Sequence, residues 1–165
     1  MPIRDSLLPE YDAEIAFTRT TLERVPEGKF DFKPHEKSMT QGQLAIHLAQ
    51  IPEWGAMTIQ TDSIDLAQPF EQPKVGSVQE LLTLFDKNAA AGRAEFAGAS
   101  DEKLMANWSM LKAGTTMMTM PRIAVLRSFI MNHMVHHRAQ LGVYLRLQNI
   151  PVPAIYGPSA DEGSF

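Results

Sequence analysis

Apolar positions recur every three or four residues in four stretches of the chain, and proline or glycine separates the stretches. The first stretch spans about residues 6–23 and is followed by Pro26 and Gly28. Similar patterns begin near Ser38, at Ser77 and at Pro121. This spacing places the apolar side chains on one face of a helix. The stripe of the first helix contains Leu7, Leu8, Tyr11, Ile15, Thr18 and Leu22.

The expected second and third helices carry signals at their amino ends. Ser38–Gln41 ("SMTQ") and Ser77–Glu80 ("SVQE") are typical of a capping box, in which two side chains bind the free backbone amides of the first turn. Pro52 lies inside the second pattern, and the pattern continues beyond it. We therefore expect a kink at Pro52 rather than the end of the helix.

The connections are short to medium in length. "SDEKL" predicts one short helical turn, and Lys112-Ala-Gly114 suggests a tight turn between two short extended pieces. The fourth helix is expected to run from Pro121 to about Gln148, and the chain of 165 residues fits one core. Four helices joined in this way predict an all-α four-helix bundle, with residues 1–165 forming a single domain.

Composition excludes several classes of function. The chain has no cysteine, so disulfides and a cysteine nucleophile are ruled out. The net charge is −4 and no basic stripe is present, so we expect no nucleic-acid partner. No apolar run is long enough to span a bilayer, and the amino end lacks the apolar core of a secretion signal, so we expect no membrane association and a cytoplasmic location.

The histidines are the candidate chemistry. At about 100° per residue, His137 lies about 20° from Ile130 on the fourth helix, His133 about 60° and His136 about 120° away. His133 and His137 therefore form an inward i, i+4 pair, which is the spacing that lets two imidazoles on one helix bind one ion. His47 lies on the apolar side of the second helix and is the candidate third ligand.

Other interpretations of these histidines remain open at this point. An inward histidine is often an ordinary hydrogen-bonded core residue, and the remaining histidine, His35, is expected to be exposed in a connection. Three core histidines would each need polar partners, at a cost of about 1–3 kcal/mol for every group left unsatisfied. Surface positions would avoid that cost without any metal.

Three segments resemble the DinB-like (DinB/YfiT, damage-inducible) family. They are "LERVPEGKFDFKPHEKSMTQGQLAIHLAQIPEW", "NHMVHHRAQLGVYLR" and "IPVPAIYGPSADE", and together they extend over nearly the whole chain. The resemblance implies a four-helix bundle, commonly a homodimer, with one metal ligand on the second helix and two on the last. By position these are His47, His133 and His137, whereas His136 matches a histidine that is not usually a ligand.

The resemblance also suggests a function. Ligation by imidazoles alone suits a divalent transition metal, foremost Zn or Ni and next Fe or Mn. Because some relatives are thiol-dependent transferases, the resemblance suggests a metal-dependent transferase or hydrolase with a small-molecule substrate, for which a low-molecular-weight thiol is the candidate. The alternative is a non-catalytic metal-binding stress-response or scaffold protein. Met134 follows His133, so an HExxH protease mechanism is not supported.

No catalytic residue beyond the metal ligands can be assigned. Asp161 and Glu162 in the tail either approach the metal or are solvated. Trp54 and Tyr156 either line a pocket or take part in ordinary packing.

Overall fold

Four long helical segments carry most of the chain in the computed structural model, which describes residues 1–70 and 72–163. The first three are α1 (Ile3–Leu22), α2 (Gln41–Gln60) and α3 (Val78–Gly98). A short helix, α4 (Asp101–Met105), follows α3 where the sequence predicted one turn. The last segment begins with α5 (Arg122–Val125), continues through a π-helical stretch (Leu126–Met131) and ends with α6 (Asn132–Leu147).

The core lies between these long helices. α2 packs against α3 and α6, and α1 packs against α3 and α6 on the other side. The predicted apolar stripes supply most of the buried side chains, among them Leu7, Tyr11, Leu22, Leu44, Leu48, Ile51, Leu81, Phe85, Phe96, Ile130, Met134 and Leu141. The helical part of the prediction is therefore confirmed.

The capping box of α2 lies two residues after the predicted one. Thr40 is the cap: its hydroxyl accepts a hydrogen bond from the backbone amide of Gln43, and the Gln43 side chain accepts one from the amide of Thr40. Gln41 is instead buried, and its backbone amide donates to the carbonyl of Phe32 at 2.8 Å. The prediction of Ser38 as the cap was wrong because Gln41 holds the preceding loop.

Of the two hydrogen bonds in the capping box predicted for α3, one is present. The Ser77 hydroxyl accepts from the amide of Glu80, as expected. The Glu80 carboxylate, however, accepts from the amide of Gly76 rather than from that of Ser77. α2 itself continues through Pro52 to Gln60, so the proline does not end the helix.

A small sheet departs from the all-α prediction. Its strands are β1 (Ser63–Asp65), β2 (Asn107–Lys112) and β3 (Thr115–Pro121), with β1 parallel and β3 antiparallel to β2. The hairpin turns at Ala113 and Gly114, which both have positive φ, so the predicted tight turn is confirmed. β1 has three residues, too few for an alternating pattern to identify it in the sequence.

Arg122 joins the sheet to the helices. Its buried guanidinium donates to the carbonyls of Thr58 and Thr61 at the end of α2 and of Ala106 and Asn107 at the start of β2. Four carbonyls satisfy most of its five donors, and the Asp62 carboxylate pairs with its charge, which together permit burial of the guanidinium. The sheet is thereby fixed beside the carboxyl end of α2.

Within the described residues, no helix is both long enough and apolar enough to cross a membrane.

Candidate metal centre

The structure brings His47, His133 and His137 together, although His47 lies on a different helix. The Nε2 atom of His133 is 3.3 Å from Nε2 of His47 and 2.8 Å from Nε2 of His137. One nitrogen of each ring lies within 4.8 Å of the corresponding nitrogen of the others. Three histidines at these separations are close enough to bind one metal ion.

The helices determine where each ring points. His133 and His137 are successive on one face of α6, and their rings lie 4.6 Å apart between centroids. His47 lies on α2, which packs directly against α6, and its ring centroid is 4.5 Å from that of His137. All three rings are partly buried, so the cluster lies at the edge of the core with one side open.

Hydrogen bonds at the outer ring nitrogens fix the tautomers. Nδ1 of His133 faces the carbonyl oxygen of Phe129 at 3.2 Å, and Nδ1 of His137 faces the Gln140 side-chain oxygen at 2.7 Å. Both partners are acceptors, so a neutral imidazole must carry its proton at Nδ1. The two Nε2 atoms then present lone pairs to each other at 2.8 Å, an arrangement that could hold a cation. This arrangement is typical of metal-ligating histidines.

The histidines are held in the neutral form that ligation requires. Burial, followed by repulsion from His137 and His133, lowers the pKa of His47 to about 4. Burial likewise lowers the pKa values of His133 and His137. Three neutral imidazoles suit a divalent transition metal better than Mg²⁺ or Ca²⁺, which prefer oxygen ligands.

The other two histidines are placed as predicted. His136 is exposed beside the cluster, and its ring centroid is 4.8 Å from that of His137. His35 is exposed in the connection between α1 and α2. The division into inward and outward histidines on the last helix is therefore confirmed.

A cavity of about 440 Å³ adjoins the cluster on the side of His133. Trp54 lines it, and the indole centroid lies 5.2 Å from the ring of His47 and 5.9 Å from the ring of His133. Of the two roles left open for Trp54, the structure shows that of a cavity wall. Side chains of β1 and β2 also line the cavity. The sequence suggested the hairpin that contains β2 but not β1 or its pairing with β2, so this wall was not foreseen.

The tail carboxylates have partners of their own. Asp161 forms an ion pair with Arg146, and Glu162 forms one with Arg24. Both pairs are partly exposed, and neither carboxylate belongs to the histidine cluster. The possibility that they approach the metal is therefore not supported.

Tyr156 takes part in a polar network that the sequence did not reveal. Its hydroxyl donates to the carboxylate of Glu14 and accepts from Arg138, whose Nη1 is 2.7 Å from the other oxygen of Glu14. Both charged side chains are buried. Arg138 follows His137 on α6, and Glu14 lies in the middle of α1. Only the position of Glu14 between Tyr11 and Thr18, on the predicted apolar face, could have indicated this.

The fold and the site define a predominantly helical protein with a three-histidine cluster between its second and last long helices. Residues 6–164 match the model of the DinB family, so the chain belongs to that family. The resemblance that the sequence motifs suggested is thereby confirmed.

Relatives of this protein agree with that assignment. The chain is 24% identical over 171 residues to the uncharacterized protein YrdA of Bacillus subtilis, covering 96% of this chain and 90% of YrdA. The crystal structure of a DinB-like protein of B. subtilis, YjoA, matches with a TM-score of 0.72 at 20% identity over 93% of this chain and 99% of that one. A DinB-like protein of Bacillus cereus matches with a TM-score of 0.71 at 19% identity over 94% and 98%. At these identities the structural likeness concerns the fold.

Proposed function

We propose that His47, His133 and His137 bind one divalent transition metal ion, foremost Zn or Ni, with Fe or Mn as further candidates. The observation that carries this proposal is the convergence of three Nε2 atoms while the outer nitrogens of His133 and His137 donate to oxygen acceptors. Three ligands leave further coordination positions free, which is typical of catalytic rather than structural sites.

We also propose that residues 1–165 form a single domain with a four-helix bundle as its core. The support is the packing order, in which α1 and α2 each contact both α3 and α6. In this arrangement His47 reaches α6 across one helix interface. The sheet is then an addition at the end of the bundle, fastened by Arg122.

The function that this site supports best is that of a metal-dependent enzyme, a thiol-dependent transferase or a hydrolase. A bound divalent ion supplies a Lewis acid that lowers the pKa of a coordinated thiol or water. The chain's own contribution is to hold the three imidazoles neutral and oriented. The Phe129 carbonyl orients His133, Gln140 orients His137, and Trp54 packs beside the rings of His47 and His133.

One observation favours a second candidate, a non-catalytic metal-binding stress-response or scaffold protein. Among residues 1–70 and 72–163, the cluster consists of histidines alone and includes no carboxylate that would act as a general base. A thiol transferase can work without such a base if the metal itself holds the thiol as a thiolate. A hydrolase would need a general base from outside the cluster, and Glu53 in the adjoining cavity wall is the carboxylate nearest at hand among the described lining residues.

Metal occupancy tests the site. The purified chain is stripped with a chelator, dialysed against Zn²⁺ or Ni²⁺ and analysed for bound metal. We expect about one ion per chain, and loss of that ion in His47→Ala, His133→Ala and His137→Ala, because two imidazoles bind far more weakly than three. His136→Ala is the matched control on the same helix and should keep the ion. Metal retained by His133→Ala but lost by His136→Ala would refute the ligand set.

Activity separates the two candidates. The loaded protein is mixed with small thiols and uncharged electrophiles, and separately with esters and amides. Turnover that disappears in His137→Ala, while the circular dichroism spectrum is unchanged, supports the enzyme. One bound ion with no turnover on either panel supports the binding protein.

Homodimerisation and a cytoplasmic location are further proposals that rest on the family resemblance and the composition. Size-exclusion chromatography with light scattering tests the first, since a homodimer has twice the 18.4 kDa mass of the chain. A monomer at micromolar concentration would contradict it.

A further inference from the structure

The cavity beside His133 is a small-molecule site by its size and walls. Its volume of about 440 Å³ lies within the roughly 300–1,000 Å³ typical of ligand pockets. α2 and the π-helical stretch form one side, and β1 and β2 with the segment after β1 form the other. The sheet therefore encloses a space that the long helices alone would leave open.

The walls are mainly apolar. The large apolar side chains that offer a ligand the most contact area are Trp54, Met57, Leu66, Phe70, Trp108 and Phe129. Leu66, Phe70 and Phe129 are large apolar side chains with 49%, 44% and 36% of their surfaces exposed, respectively. Three such side chains around one cavity leave apolar surface in contact with water, and a ligand that covers them gains free energy from its removal.

The charge of the walls narrows the class of ligand. Among the described residues that line the cavity, Glu53 is the one with a full charge, and none is a lysine or an arginine. A carboxylate, phosphate or sulfonate would enter without a cation to pair with, which is costly in an apolar environment. An uncharged ligand meets no such penalty, and a cation gains little from Glu53, because that side chain is exposed and its charge is screened by water.

We infer that this cavity binds a small, uncharged, largely apolar molecule, with one end of that molecule against His133. As a statement about the reaction, this rests on the proposed function: the cavity then holds the apolar substrate beside His133. As a statement about binding, it depends on the cavity walls alone.

Two fluorescent probes of one scaffold test the charge preference. N-phenyl-1-naphthylamine is uncharged, and 1-anilinonaphthalene-8-sulfonate adds a sulfonate to the same ring system. Each is titrated into the metal-free full chain. We expect one saturable site for the uncharged probe and at least about tenfold weaker binding of the sulfonate. Equal affinity for both probes would overturn the inference.

A pair of matched variants locates the probe. Leu66→Asp places a carboxylate in the cavity wall, whereas Leu147→Asp makes the same change at a side chain that is 57% exposed at the end of α6, outside this cavity. Affinity for the uncharged probe should fall at least about tenfold in the first variant and stay unchanged in the second. Since both positions are exposed, both variants should fold, which circular dichroism checks. Equal effects would contradict the assignment.

His137→Ala separates this inference from the proposed metal site, because His137 does not line the cavity. The variant should lose the metal ion and still bind the uncharged probe. If the wild-type chain binds probe but no metal, the cavity assignment stands and the metal proposal fails. If it binds metal but no probe, the reverse holds.

Discussion

Arg138 is buried on α6, on the side that faces α1. Its guanidinium pairs with the buried carboxylate of Glu14, donates to the Thr18 hydroxyl and lies 5.6 Å from the centre of the Phe17 ring. The hydroxyl of Tyr156 bridges the two charges from the tail. Taking both charges out of water is costly, and the mutual contacts offset that cost.

Removing one charge of the Arg138–Glu14 pair should therefore lower the free energy of unfolding more than removing both charges. Arg138→Met leaves the Glu14 carboxylate buried without its cation, and we expect it to lower the free energy of unfolding by about 3–5 kcal/mol. Combining it with Glu14→Leu should recover part of that loss, because no charge then remains buried. Urea denaturation of the two single variants and the double variant measures the difference. Losses that simply add would show that the pair does not act as a unit.

The sequence predicted which histidines face inward, but it did not predict that Arg138 and Glu14 are buried as a pair. Helical phase separated His133 and His137 from His136 because α6 is regular from Asn132 onward, close to the reference residue Ile130. The same reasoning treats an arginine as a surface residue, and Glu14 lies 124 residues away from Arg138. Spacing along one helix carries no information about a buried partner on another.

α3 approaches α2 and α1 closely at Gly92. A Cβ atom there would lie 2.8 Å from the carbonyl oxygen of Pro52 and would overlap the hydroxyl of Tyr11. That hydroxyl donates to the carbonyl of Ala89 one turn earlier on α3. The glycine therefore permits contact among three helices at one level of the core.

Gly92→Ala should destabilise the protein for that reason. The obstructing atoms include backbone, which cannot rotate away, so we expect a loss of about 1–3 kcal/mol in the free energy of unfolding. Gly98→Ala is the control on the same helix, since nothing lies within 4 Å of its added Cβ. It should be neutral or stabilise by up to about 1 kcal/mol, through helix propensity. Thermal and urea denaturation of both variants distinguish them, and equal effects would contradict the close approach.

At the scale of elements, the helices were predictable and two other features were not. The last helix contains a π-helical stretch at Leu126–Met131, which adds a residue to the turn. Residues before this stretch are therefore rotated about the helix axis relative to those after it. A regular helix would place Ile123 in the core, but Ile123 is only partly buried and Val125 is buried instead. The turn between β2 and β3 was suggested by the sequence, whereas β1 was missed because it is very short and pairs with β2, more than forty residues later.

For the whole molecule, the proposed metal site joins two helices that the chain connects only at a distance. His47 is on α2 and the other two ligands are on α6, with the sheet, α3 and α4 between them in sequence. An ion held by all three binds only the state in which α2 and α6 are packed together. Metal binding and global stability should therefore be linked.

That linkage gives the last prediction. At a free metal concentration 100 times the dissociation constant, the ion should add about 2.7 kcal/mol to the free energy of unfolding. For a chain of this size the corresponding rise in Tm is roughly 5–10 °C, by differential scanning calorimetry with and without Zn²⁺ or Ni²⁺. His136→Ala should show the same rise. His47→Ala should show little, because it is expected to lose the ion and with it the link between α2 and α6. A full rise in His47→Ala would mean that α6 alone holds the ion, and that His47 is only a neighbour of the site.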